Sequence, residues 1–184
     1  FTGVAIPAKN SFAKGFVITG ATEPLQSQIP ITVQERIQGN WFVVGYSKSQ
    51  STGTWSVNLK FNVIGRHTLR VVASNPLGQV VSANSTTTTV GNISTIVPPQ
   101  GVRNSNVIVS GVVQPAKSGI TVKISRKLPG KTWASICTTM TDSNGKWSAS
   151  CPVGLSAGKV RFHGVVNDPV LGFFYAPDAT ITVQ

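Results

Sequence analysis

Apolar and polar residues alternate along much of this chain with a period of two. Trp147, Ala149, Cys151 and Val153 share one parity, and Ser148, Ser150 and Pro152 share the other. Earlier, Trp55, Val57, Leu59 and Phe61 alternate with Ser56, Asn58 and Lys60 in the same way. Such runs have one buried face and one wet face, which is the signature of a half-buried strand. Each run follows a turn: Ser51-Thr52-Gly53 in the first case and Asp142-Ser143-Asn144-Gly145 in the second. No window sustains the i, i+3, i+4, i+7 apolar spacing of a helix. Strands are predicted near 2–6, 15–20, 30–36, 41–47, 54–61, 67–73 and 85–90, then near 93–97, 106–112, 119–126, 132–140, 146–151, 159–166 and 179–183. Seven short strands per half, punctuated by Gly, Pro and Asn, predict an all-β protein of antiparallel sandwiches.

The two halves match in order. Pro7 and Pro98, Gly20 and Gly111, and Pro24 and Pro115 stand 91 residues apart. Ile31-Thr32-Val33 is matched with Ile120-Thr121-Val122, Arg36 with Arg126, and Gly39 and Trp41 with Gly130 and Trp133. Gly53 and Trp55 answer Gly145 and Trp147, Arg70 answers Arg161, and Asn75-Pro76 answers Asn167-Asp168-Pro169. All four Trp take part, with small insertions only, so the chain is a duplicated domain. The boundary is placed near Gly91-Asn92, giving domains 1–91 and 92–184.

Charge narrows the setting. Sixteen Lys and Arg face five Asp and Glu, a formal net charge of +11, yet only 11% of residues are charged. A mostly neutral Ser, Thr, Asn and Gln surface on a basic background suits solubility, or attraction to an anionic polymer. No basic run exceeds two residues and no nucleic-acid motif accompanies the charge. No stretch of 18 apolar residues predicts a membrane-spanning helix. The chain starts at Phe1 without a visible signal peptide, and is expected to be a mature or excised piece of something longer.

The pattern Gly20, Arg36, Gly39, Trp41, Gly53, Trp55, Arg70 and its twin resembles the bacterial Ig-like domains found in tandem on secreted and cell-surface proteins. The resemblance spans the whole chain. It implies two tandem Ig-like β-sandwich domains serving as stalk, spacer or adhesion module, and carries over no binding residues.

Cys137 and Cys151 flank the second turn. A three-residue loop, Ser143-Asn144-Gly145, pairs Asp142 with Lys146 and sets Cys137 opposite Cys151, with Gly145 left-handed. This predicts a disulfide within one hairpin, and with it an oxidising compartment. The first copy has Gly45 and Leu59 at the matching positions. The four Trp are read as core residues rather than a sugar-stacking platform. Phe173-Phe174-Tyr175, matched with Val80-Val81-Ser82, is read as either a packed strand or an exposed contact patch.

Catalytic signals are sparse. His67 and His163 are the two histidines, without a second ligand at zinc spacing. The acids are Glu23, Glu35, Asp142, Asp168 and Asp178, placed in turns or at strand ends and repeated in neither copy. Ser and Thr abound without a nucleophile elbow or phosphate loop. No cofactor or metal is expected. The expectation is a non-enzymatic extracellular module, secreted or on the cell surface, whose partners are neighbouring domains of its own chain. The alternatives are a module binding anionic polysaccharide or cell-envelope polymer through Arg36, Arg70, Arg126 and Arg161, and a decoration domain of a phage or secretion apparatus.

Overall fold

The turns and alternating runs resolve into eighteen strands and no helix in the computed structural model, which describes every residue except 76 and 77. In the first half these are β1 (Thr2–Ala5), β2 (Lys9–Ser11), β3 (Gly15–Ala21), β4 (Pro30–Ile37), β5 (Asn40–Lys48), β6 (Thr54–Lys60), β7 (Gly65–Asn75), β8 (Gly78–Val81) and β9 (Ser85–Val90). The second half contains β10 (Asn92–Ile93), β11 (Gln100–Gly101), β12 (Asn106–Gln114), β13 (Thr121–Lys127), β14 (Trp133–Met140), β15 (Lys146–Pro152), β16 (Gly158–Asp168), β17 (Gly172–Tyr175) and β18 (Ala179–Val183). Each of the fourteen predicted segments overlaps a strand, although 93–97 does so only at Ile93 of β10. The added ones, β2, β8, β11 and β17, are two to four residues long. The match of Pro76 with Pro169 lies outside the described residues.

Contacts divide the chain into two units, Phe1–Thr89 and Val90–Gln184. Each is an Ig-like sandwich of a three-stranded and a six-stranded sheet. In the first unit β1-β3-β6 faces β2-β9-β7-β4-β5, with β8 added beside β7. In the second, β10-β12-β15 faces β11-β18-β16-β13-β14, with β17 added beside β16. β11 runs parallel to β18, and the other ladders of the second unit are antiparallel, as are those of β3 with β1 and β6, of β4 with β5 and β7, and of β7 with β8 and β9 in the first.

The alternating residues meet between the sheets. Ile18, Val57 and Leu59 from the small sheet and Ile31, Val33, Leu69 and Val71 from the large one form the first core. Val109 and Val153 meet Val122, Ile124, Val160, Phe162 and Ile181 in the second, all of them fully buried. Trp55 and Trp147 are the largest members and are each 3% exposed. Both lie against a glycine of the neighbouring strand. A Cβ on Gly20 would stand 2.4 Å from Trp55 Cζ2, and one on Gly111 would stand 2.7 Å from Trp147 Cζ2 and 2.0 Å from the Ser94 carbonyl. The Gly–Trp repeat in the sequence is therefore a packing device.

The turn at Asp142 forms as expected. Asp142 N–H donates to the Lys146 carbonyl (2.8 Å), its carboxylate accepts from Asn144 and Lys146 N–H, and Gly145 has φ of +73°. The hairpin beyond it does not form. β14 pairs with β13 in the large sheet, whereas β15 pairs with β12 in the small one. Burying Trp147, the fully buried Cys151 and Val153 pulls β15 into the opposite sheet. The adjoining edges touch through side chains, as where Thr139 Oγ1 donates to the Ser148 carbonyl (2.9 Å). Cys137 and Cys151, with Cα atoms 5.9 Å apart, are disulfide-bonded across this seam. The bridge thus joins the two sheets, correcting the expectation of a bridge inside one hairpin.

Candidate functional site

Ladder registers give the equivalence of the two units residue by residue. Ile31 pairs with Ala73 and Val33 with Val71, whereas Val122 pairs with Val166 and Ile124 with Gly164. Val33 and Ile124 both sit just before a β-bulge, opposite Gly45 and Cys137 respectively. The cross-strand pairs then follow: Gln34 opposes Arg70, and Ser125 opposes His163. Arg70 is therefore equivalent to His163, not to Arg161, which takes the place of Thr68. Arg36 is equivalent to Lys127, since each lies opposite its Trp. The equivalence of Arg36 with Arg126 and of Arg70 with Arg161 is corrected on this ground. For Arg70 two one-residue length differences produced it, the first because Arg36 and Trp41 are five residues apart where Lys127 and Trp133 are six. The connection from β6 to β7 is one residue shorter than that from β15 to β16. A one-residue slip moves a side chain to the other face of a strand.

The four arginines accordingly do not form one stripe. Arg126 shares the core-side parity of its partner Phe162, and its Nη1 donates to the Pro152 carbonyl (2.7 Å) at the end of the sandwich. Its equivalent is Glu35, which also turns inward. Glu35 Oε1 lies 2.5 Å from Nδ1 of His67, whose ring stacks on Phe61 at 3.9 Å. That pair is nearly buried, with side chains 13% and 6% exposed, although Glu35 lies near the end of β4. Arg36 is exposed, and its Nε donates to the Gly39 carbonyl of its own turn (3.4 Å).

On the outer face of each large sheet one motif recurs. In the first unit the Arg70 guanidinium lies over the Trp41 ring, 4.2 Å from its centroid, while its Nε donates to Gln34 Oε1 (2.8 Å). In the second unit His163, at the Arg70 position, stacks on Trp133 with centroids 3.8 Å apart. Arg161 approaches the same indole at 5.8 Å. Asp178 holds both side chains: its carboxylate lies 3.1 Å from Arg161 Nη1 and 3.2 Å from His163 Nδ1. Stacking between a planar cation and an indole is favourable at such distances. Trp41 and Trp133 are thus half-buried outer-face residues, and only Trp55 and Trp147 are core. The assignment of all four Trp to the core is corrected for these two, whose strand positions β5 and β14 lie beyond the core-facing bulge.

The second unit extends this motif. Tyr175 of β17 lies beside His163, with ring centroids 5.8 Å apart, so Trp133, His163 and Tyr175 form a row across the sheet. β17 alternates: Phe174 is buried, while Phe173 and Tyr175 are 53% and 64% exposed. The segment is therefore a strand packed on the core through Phe174, and its alternate rings are exposed. The ladders match Phe173, Phe174 and Tyr175 with Gln79, Val80 and Val81 rather than with Val80, Val81 and Ser82. The first unit lacks the row. The turn before β17 is fixed by Asp168, whose Oδ1 accepts from Leu171 and Val170 N–H at 2.9 Å each. These bonds, Leu171's first, hold its carboxyl below the ordinary aspartate value.

Among the described residues no three His, Cys, Asp or Glu side chains converge as a metal site. No described helix is long and apolar enough to cross a membrane.

No family profile matches the chain, and no curated protein matches it in sequence. Solved structures are similar in fold. A selenomethionine-substituted chicken interferon gamma receptor alpha chain is 14% identical with a TM-score of 0.56, covering 100% of this chain and 97% of that one. A tetra-tandem repeat from the extending region of a large adhesion protein is 16% identical with a TM-score of 0.44, covering 94% of this chain and 46% of that one. A putative membrane-anchored protein from Corynebacterium diphtheriae is 13% identical with a TM-score of 0.42, covering 98% and 52%. The chain thus spans about half the length of the latter two structures. Full-length overlap with the receptor chain places this protein among tandem Ig-like β-sandwiches, a likeness of fold alone.

Proposed function

We propose that this chain is a non-enzymatic tandem sandwich module of a secreted or surface-attached protein, acting as a stalk, spacer or adhesion segment. The observation that carries the reading is the Cys137–Cys151 bridge, which ties the two sheets of the second unit together at a seam lacking ladder bonds. Such bonds persist in oxidising compartments. The polar groups nearest to a chemical constellation serve the scaffold: Glu35 with His67 fills the end of the first sandwich, and Arg126 closes the end of the second. Antibodies against the chain, applied to intact and to lysed source cells, test the location. Labelling of intact cells or of the medium is expected. Signal found only after lysis, in the soluble cytosol, contradicts the proposal.

A second reading is favoured by the excess of cations on the outer sheet faces. There the module binds an anionic partner directly, in addition to spacing its neighbours.

A further inference from the structure

We propose that the outer face of the second unit's large sheet binds an acidic polysaccharide. Tyr175 and Phe173, exposed on one face of β17, would lie against sugar rings, and Arg161 and Lys127 would receive the carboxylates. The inference goes beyond the spacer reading and does not depend on it.

The first argument is the aromatic row. Tyr175 and Phe173 are more than half exposed on a face that contributes nothing to the core, where the first unit has Val81 and Gln79. Folding does not require exposed rings there, and contiguous exposed apolar surface marks contact sites. The row is pre-organised. His163 is held between Trp133 and Asp178, and the ladder pairs Tyr175 with Val165. Rings already held in place lose little conformational entropy on receiving a ligand.

The second argument is charge complementarity. Lys123, Lys127 and Arg161 share the outward parity with His163, and Asp178 is the acid placed among them. Arg161 directs Nη1 to Asp178, and the guanidinium fork has five N–H donors, leaving others for a ligand carboxylate. The cations are spaced singly along strands. A duplex nucleic acid carries a charge every ~1.7 Å of its axis and calls for denser pairing. Spaced carboxylates on a chain of sugar rings match both the rings and the cation spacing.

The test uses the 184-residue chain. Binding to immobilised polygalacturonate, alginate and hyaluronate is compared with binding to uncharged dextran, at low and moderate salt. The wild type should bind at least one acidic polymer in a salt-sensitive manner and leave dextran unbound. Tyr175→Ala and Arg161→Gln should each weaken that binding by about tenfold. Tyr175→Phe should retain it. Tyr46→Ala, which removes a 75% exposed ring from the first unit, should leave it unchanged. Unaltered thermal midpoints establish that the variants fold. Binding to none of the acidic polymers overturns the proposal, as does equal binding by wild type and Tyr175→Ala, which would assign the effect to net charge. Equal binding to dextran, or tighter binding to duplex DNA, overturns it too. Failure here leaves the location and spacer role untouched, because those are read from intact-cell labelling.

Discussion

Replacing both Cys137 and Cys151 by Ala removes the tie between the two sheets of the second unit without leaving a lone thiol. The cysteines are separated by 14 residues, and closing a loop of about 15 lowers denatured-state entropy by the equivalent of about 3 kcal/mol. Cys151 is fully buried, so truncating it also leaves a small void, adding up to about 1 kcal/mol. The expected loss is about 3–4 kcal/mol from the second unit. A unit of about 95 residues unfolds with an entropy near 0.2 kcal/mol/K, so its transition should fall by about 15 °C. The first unit has Gly45 and Leu59 at this seam, where a Cβ on Gly45 would stand 2.6 Å from Leu59 Cδ2. Its seam is closed by packing, and its transition should stay in place. Differential scanning calorimetry of wild type, the double variant and the reduced wild type separates the two transitions. A loss below about 1 kcal/mol, or equal shifts in both transitions, refutes the reasoning.

Other consequences concern single side chains. Gly111→Ala drives a methyl into the Ser94 carbonyl and Trp147, and should cost about 3 kcal/mol or more in chemical denaturation. Gly130→Ala meets no atom within 4 Å at φ of +67°, and should cost only about 1 kcal/mol, from backbone conformation. Glu35→Ala leaves buried His67 Nδ1 without its carboxylate, and should lower the first unit's stability by about 1–3 kcal/mol while sparing the second. Asp168 has a depressed pKa, so its contribution is present above the ordinary aspartate range and lost as pH falls through the lowered value. Asp168→Asn should flatten that acid limb of the second unit's stability profile, by a small amount because the carboxylate is only half-buried and is screened by solvent.

The duplication and the main strands were legible because strand alternation survives without knowledge of partners. Trp55, Val57 and Leu59, like their twins, announce their buried face in one dimension. The short strands β2, β8, β11 and β17 were missed because two to four residues hold too little alternation to register. Side-chain faces near strand ends were harder. Arg126 reads as the twin of Arg36, yet a one-residue slip puts Arg126 on the core side beside Phe162 and leaves Lys127 opposite Trp133. Pairing of the two cysteines was legible from the turn, but not their place between sheets. Sheet membership of β15 depends on which strand covers Trp147, a tertiary fact. The outer-face row escaped for a similar reason: Trp133, His163 and Tyr175 come from three strands and meet only through the ladders. Exposed parity at Phe173 and Tyr175, flanking buried Phe174, was the one signal that could have suggested it.

The claim that this tandem sandwich works outside the reducing interior of the cell rests on one bond. Protein taken from its native source, alkylated before any reduction and digested, reports that bond by mass spectrometry. The account predicts a linked Cys137–Cys151 peptide pair, with neither thiol alkylated. Recovery of both cysteines as alkylated thiols contradicts it.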